Sequence, residues 1–342
     1  MRSRLHIVTV IISGVLAAGC AKIEQHADSF PQHVIGYEVV ENRPASKAVF
    51  STDETFMSAA YKLGSGQTWD AHKAYASQYF NPLQEEVSYM DTYWKTVKDY
   101  YWPYDGSSLT FFSYAPSSLK DKGASISKEG VSITGWDVNT NKNKVILVAD
   151  IAKDKTKNES YASFSGVPTL FRHKLSKVTF KVAKSEFAED EIAVHIKTLK
   201  IADIYTSGSY SGGGYSNDSW SGLGSLKTES DPYLVYENTG TGELLSSDAV
   251  KELPFIIMIP QMLSMSGEIH PRIVVEYTTT TGSTVTEKSA ECFFVENFRS
   301  GSWEKGQHYT YTIYIGVGQH PIEFTGSVSN WESADKGTVN VE

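Results

Sequence analysis

Apolar and polar residues alternate with a period of two along most of the chain, the pattern of strands with one face buried. Tyr309, Tyr311, Ile313, Ile315 and Val317 form the longest such run. Val178, Phe180 and Val182 alternate with Lys177, Thr179 and Lys181, and Ile192, Val194 and Ile196 continue in the same style. Between Ile196 and Leu199 the phase slips by one residue before Leu199 and Ile201 resume it, which predicts a β-bulge. Ile273, Val275 and Tyr277 make another strand, and Ile322, Phe324 and Val328 a last one around Gly326. Earlier in the chain, residues 34–40, 48–51, 109–114, 131–134 and 145–149 read as short strands. One stretch differs: Trp69, His72, Tyr75, Ala76 and Tyr79 share a helical face behind Thr68, which predicts a short helix over 69–80 with Thr68 as its cap. Residues 207–225, rich in serine and glycine, predict a long exposed hairpin loop.

Composition agrees with a mainly β chain. Among 342 residues there are 20 Tyr, 7 Trp and 26 Gly, residues that sheets and their turns use. Strands following strands, without alternating helices, predict sandwiches rather than a parallel βαβ sheet. The length accommodates two domains. With 31 basic against 40 acidic residues the formal charge is −9, so the chain carries no electrostatic footprint for nucleic acid.

The first residues read as an address. Arg2 and Arg4 precede an apolar stretch over 5–15, and Ala17-Ala18-Gly19 leads to Cys20, the arrangement of a secretory signal peptide over 1–19. Small residues directly before a cysteine resemble the bacterial lipobox, which implies diacylation of Cys20 and attachment to a lipid bilayer. After Cys20 no apolar run reaches the ~18–20 residues of a membrane-crossing helix. The second cysteine, Cys292, sits in the apolar run Cys292-Phe293-Phe294-Val295 and reads as a small buried hydrophobe.

Catalytic and metal chemistry find no constellation. The nine histidines form no His-x-His or His-x-x-x-His pair, so neither zinc nor another metal cofactor is indicated. Asp137-Val138-Asn139-Thr140-Asn141 begins like a calcium loop, but Lys142 stands where glycine is required and Val148 where the bidentate Glu belongs, which leaves an Asn-rich turn. There is no Gly-x-Ser-x-Gly elbow, and the pairs Glu85-Glu86 and Asp190-Glu191 read as solvated turn carboxylates. The dense aromatics Tyr89, Tyr93, Trp94, Tyr100, Tyr101, Trp102 and Tyr104 either line a sugar-stacking platform, with Trp94 and Trp102 facing the ligand, or fill a core.

Five segments in order carry a family resemblance. Tyr101-Trp102-Pro103-Tyr104-Asp105-Gly106 followed by 109–116, then Ile146-Leu147-Val148-Ala149, then 171–180, then 303–315, and finally 328–331 resemble the signature segments of the fimbrillin-like lipoproteins of Bacteroidetes, subunits of type V pili. The resemblance implies two transthyretin-like β-sandwich domains. Their expected extents are 34–167 and 168–342, after a signal peptide over 1–19 and a lipidated linker over 20–33. It also implies a non-enzymatic cell-surface protein, carried to the outer membrane as a lipoprotein and contributing to adhesion. The resemblance further implies that a protease cuts after the first strand, that this strand leaves, and that a strand from another fimbrial subunit fills the groove. Val34, Ile35, Tyr37 and Val39 would belong to the departing strand. Arg43, which precedes Pro44, and Lys47 are the candidate cleavage positions. Val339 and Val341 in the C-terminal tail alternate well enough to pair for a few residues, so shaft and terminal positions in a fibre both stay open. The competing expectation is a surface lipoprotein that binds a glycan or a host protein without polymerising.

Overall fold

The computed structural model describes residues 33–41, 51–161, 164–186, 188, 191–213, 218–265, 267–298, 301–317, 322–331 and 339–340. Strands β1 (Tyr37–Glu41), β2 (Phe56–Leu63), β3 (Gln84–Met90), β4 (Tyr93–Thr96), β5 (Ser108–Ala115), β6 (Leu147–Ala149) and β7 (Phe164–His173) belong to one sheet. Pairing runs β5, β6, β7, β1, β4, β3, β2 and returns to β5, so the sheet closes on itself. Closure removes edges that would otherwise pair with foreign chains.

β2 and β5 are buried on both faces, which is why Phe56–Leu63 shows no alternation to read from sequence. Phe56, Ala60, Leu109 and Phe111 face the interior of the closed sheet with Tyr37 and Phe171. Met57, Ala59, Tyr61, Phe112 and Tyr114 face outward, into a second core. The hairpin of Ala124–Ser127 and Gly130–Asp137 contributes Ile133 and Trp136 to that second core.

The rest of the chain adds β8 (Ser176–Lys184), β9 (Ile192–Ala202), β10 (Ile204–Gly212), β11 (Ser219–Lys227), β12 (Arg272–Thr281), β13 (Thr284–Phe293), β14 (Gln307–Ile315) and β15 (Glu323–Asn330). β8, β14 and β15 lie in one sheet and β9, β12 and β13 in another. Val178, Phe180, Val194, Ile196, Ile273, Val275, Tyr311 and Ile313 share one core between them, the arrangement of a β-sandwich. The predicted bulge is present: the β9–β12 register shifts between Ile196 and Thr198. β8 runs parallel to β14, as β1 runs parallel to β7. The fold is mostly β, as expected.

Several expectations change. The join expected at Val167-Pro168 falls inside β7, where both residues pair with β1, and the chain passes from β7 to β8 between His173 and Ser176. The hairpin at 124–137 also pairs with β10, so one four-stranded sheet is built from both sides of the expected division. At the changeover, Lys174 Nζ donates to Asp218 Oδ2 at 2.6 Å with both side chains buried, and Lys305 pairs with the other carboxylate oxygen. The serine- and glycine-rich stretch forms β10 and β11 instead of a loop, with Tyr210 buried. The helix is one turn, Trp69–His72, followed by a 3-10 turn and a short strand Ser77–Gln78 that pairs with β2. Thr68 gives no side-chain cap; the Trp69 N–H donates instead to Asp154 Oδ1 at 2.8 Å. Residues 48–50 lie outside the described residues and Ser51 is in no strand. Val339–Asn340 pairs antiparallel with β15.

Candidate functional site

Segment 33–41 is a stave of the closed sheet. On one side, β1 pairs in parallel with β7 in unbroken register from Tyr37↔Val167 to Glu41↔Phe171. On the other, Tyr37 pairs with Trp94 of β4 and Val34 bridges Tyr101. The Ile35 N–H donates to Tyr100 O at 2.8 Å and the Trp102 N–H donates to His33 O at 2.9 Å. Val34, Ile35, Tyr37 and Val39, the residues expected in the departing strand, are all buried. At about 1.5–3 kcal/mol for each large apolar side chain, this burial is a substantial share of what holds the segment.

Tyr37 is the centre of the contact. Its ring meets Phe56 and Phe111 edge-on, with centroids 5.5 Å and 5.9 Å away. Its hydroxyl donates to Ser58 Oγ at 3.1 Å, Ser113 donates to the same oxygen at 3.0 Å, and Ser58 donates onward to Phe112 O at 3.3 Å. Burial pushes the Tyr37 phenol far above its usual range. Without segment 33–41, the groove would present unpaired backbone on β7 and β4 and an apolar floor of Phe56, Trp94, Phe111 and Phe171.

Two residues that periodicity does not reveal shape this groove. Gly166 has φ +153°, and the Val167 N–H donates to Gly36 O at 2.8 Å. Asn158 Oδ1 accepts from the Gly36 N–H at 3.3 Å and from Trp102 Nε1 at 3.1 Å, and Asn158 Nδ2 donates to Val34 O at 2.8 Å. Asn158 follows the short strand Ala152–Lys155 and the polar pair Thr156-Lys157, where sequence gives no cue to a long-range partner.

The aromatic platform is corrected. Trp94 and Trp102 are each 5% exposed: Trp94 packs on Phe56 and Trp102 on Phe111, so neither faces a ligand. A closed sheet needs large side chains inside, and these indoles supply them. The exposed aromatics of the stretch are Tyr89, Tyr101 and Tyr104.

Cys20, Arg43 and Lys47 lie outside the described residues. Cys292 is buried, and burial pushes its thiol well above the usual range, the behaviour of an inert core residue. Asp137 Oδ1 accepts from the Asn139 N–H at 2.8 Å and Asp137 O from Asn141 Nδ2 at 3.0 Å, closing the Asn-rich turn on itself. Among the described residues no group of three or more His, Cys, Asp or Glu could hold a metal ion, and no helix is long and apolar enough to cross a membrane.

No curated protein matches the chain by sequence. Among solved structures, a fimbrial protein from Bacteroides vulgatus is similar with a TM-score of 0.58 at 16% identity, over 87% of this chain and 99% of that one. A candidate cell adhesion protein from Bacteroides uniformis is similar with a TM-score of 0.51 at 15% identity, over 87% of this chain and 99% of the other. At such identities the likeness is one of fold. A sequence model of fimbrillin-like proteins matches residues 53–331, most of the chain, and with that match the chain belongs to the fimbrillin-like family.

Proposed function

We propose that this chain is a structural subunit of a cell-surface fimbria, assembled by replacement of its first strand with a strand from a neighbouring subunit. The observation that carries the reading is the place of β1: a stave of a closed sheet, joined to the rest of the chain on one side only through residues 42–55. A cut after Lys47 or Arg43 makes that stave a separate piece, and its loss opens the ring of strands and bares the sides of β7 and β4 that β1 had paired. An incoming strand satisfies the exposed backbone and the apolar floor together.

In this reading Cys20 carries the acyl chains that hold the precursor at the outer membrane. Acyl burial of ~0.8 kcal/mol per CH₂ makes an anchor without a spanning element. The protein is not an enzyme, in keeping with its family. Adhesion follows from polymer display. The reading as a non-polymerising glycan or host-protein binder rests on the aromatic stretch 89–104 or on the segment 207–225, and Trp94 and Trp102 of the former are buried.

The test is the N-terminus of the surface-exposed mature protein, read by mass spectrometry. A start at Pro44 or Ala48 and strand-exchanged oligomers of the processed chain are the expected results. A start at Cys20 on every molecule, with no oligomers, would overturn the proposal.

A further inference from the structure

Asn158 reaches the first strand across 122 to 124 residues of sequence. Its three hydrogen bonds fix the amide in one orientation, because turning it over would set the NH₂ against two N–H donors. Two of the bonds go to main chain two residues apart, the Val34 carbonyl and the Gly36 N–H. The third comes from Trp102, a buried member of the closed sheet that remains when the first strand goes. A side chain here does what a neighbouring strand does elsewhere. It does so on the β7 side, ahead of Tyr37↔Val167, the first pair of β1 with β7, while the other side of the segment pairs with residues 100–102.

We infer that Asn158 is a positioning residue for strand replacement: it sets the register of whichever strand fills the groove by capturing one carbonyl and, two residues on, one N–H. The inference rests on the strand-replacement reading. Register matters because a slip by one residue would turn the face of Ile35, Tyr37 and Val39 out of the core. Trp102 keeps the amide aimed in the empty groove, so the incoming strand meets a preorganised partner. The fitting occupant is an extended segment of a neighbouring subunit with a free N–H at the Gly36 position, which excludes proline there. Its main chain must pass as close to Gly166 as Gly36 does.

The test uses the full chain with a specific protease site inserted between residues 42 and 50, cut after folding. A labelled synthetic peptide of residues 33–41 is added in excess and its entry and release are timed. Amide exchange at Gly36 is measured on the uncut chain. Asn158→Ala is expected to speed Gly36 exchange and peptide release about tenfold, the size of one or two lost hydrogen bonds. Asn158→Asp, which keeps the acceptor and loses the donor, is expected to fall between. A Gly36→Pro peptide is expected to lose the preference for the wild-type chain over Asn158→Ala. If the peptide enters wild type and Asn158→Ala and leaves both at equal rates, the role of Asn158 is overturned while strand replacement stands. If no peptide enters any cut chain, strand replacement itself is overturned, and this inference with it.

Discussion

The main-chain oxygen of Gly36 lies where a side chain on Gly166 would have to be: a Cβ there would come within 2.8 Å of it. With φ at +153°, residue 166 also has a backbone that L side chains rarely adopt. Gly166→Ala is expected to cost about 1–3 kcal/mol and to loosen segment 33–41 first. Denaturant midpoints give the cost, and hydrogen exchange at 33–41 gives its location; unchanged exchange there would contradict the assignment.

Tyr37→Ala should destabilise the chain by about 3–5 kcal/mol, since it empties a fully enclosed aromatic site. Tyr37→Phe keeps the ring contacts with Phe56 and Phe111 and removes only the bond to Ser58, for about 1 kcal/mol. Urea unfolding of the two variants checks the ratio. Equal losses would mean that the hydroxyl, not the ring, holds the strand.

Asp218 takes both Lys174 and Lys305. Burial pushes its carboxyl up, but the hydrogen bonds from the two lysines outweigh burial and hold it below the usual range. Asp218→Asn strands the buried Lys174 ammonium and is expected to cost about 3–5 kcal/mol. Lys174→Met should cost less, because Lys305 still pairs. The contribution of Asp218 is present above the unfolded carboxylate value of about 4 and is lost as pH falls below it. The gap in stability between wild type and Asp218→Asn should therefore shrink between pH 6 and pH 2, measured by denaturant titration.

Trp94→Ala and Trp102→Ala are expected to lower stability by about 3–5 kcal/mol each, whereas Tyr104→Ala, at an exposed ring, stays within about 0.5 kcal/mol. Thermal melts of the three variants separate core from surface. A full-strength melt of Trp102→Ala would contradict its placement.

Burial raises the phenols of Tyr37, Tyr114 and Tyr210. Above pH about 10, where an unfolded tyrosine ionises, the unfolded chain binds fewer protons than the folded one, so stability falls as pH rises further. Phenolate absorbance at 295 nm is expected to appear for these residues together with unfolding. Smooth titration of every tyrosine near pH 10 in a folded chain would refute this.

The half-exposed strands were legible in the sequence. β14 shows Tyr309, Tyr311, Ile313 and Ile315 on one face and solvated positions on the other, and the bulge beyond Ile196 left its trace as a slipped phase. β2 escaped because both its faces are buried, and β10 and β11 because small serines and glycines carry little apolar contrast even where Tyr210 is enclosed. The helix at 69 looked longer because pairing of Ser77–Gln78 with β2 competes with helical continuation and wins. Of the groove, the apolar residues Ile35, Tyr37 and Val39 could be read from their spacing. Asn158 and Gly166 could not, since their roles exist only once segments more than a hundred residues apart meet.

The parallel pairing of β1 with β7 has a kinetic consequence. Tyr37 must wait for Val167, so the closed sheet cannot form until nearly half the chain is available, and a non-local pairing of this kind closes late. Every molecule therefore passes through a stage with the groove open, in which, on the proposed assembly, its own strand competes with strands of other molecules. Attachment through residues 42–55 decides that contest, because a tethered strand acts at an effective concentration on the order of millimolar. A single peptide-bond scission leaves each contact in place and abolishes this advantage. In the proposed assembly the resident strand then becomes a ligand with a residence time, and the commitment to assemble is set by how long it stays.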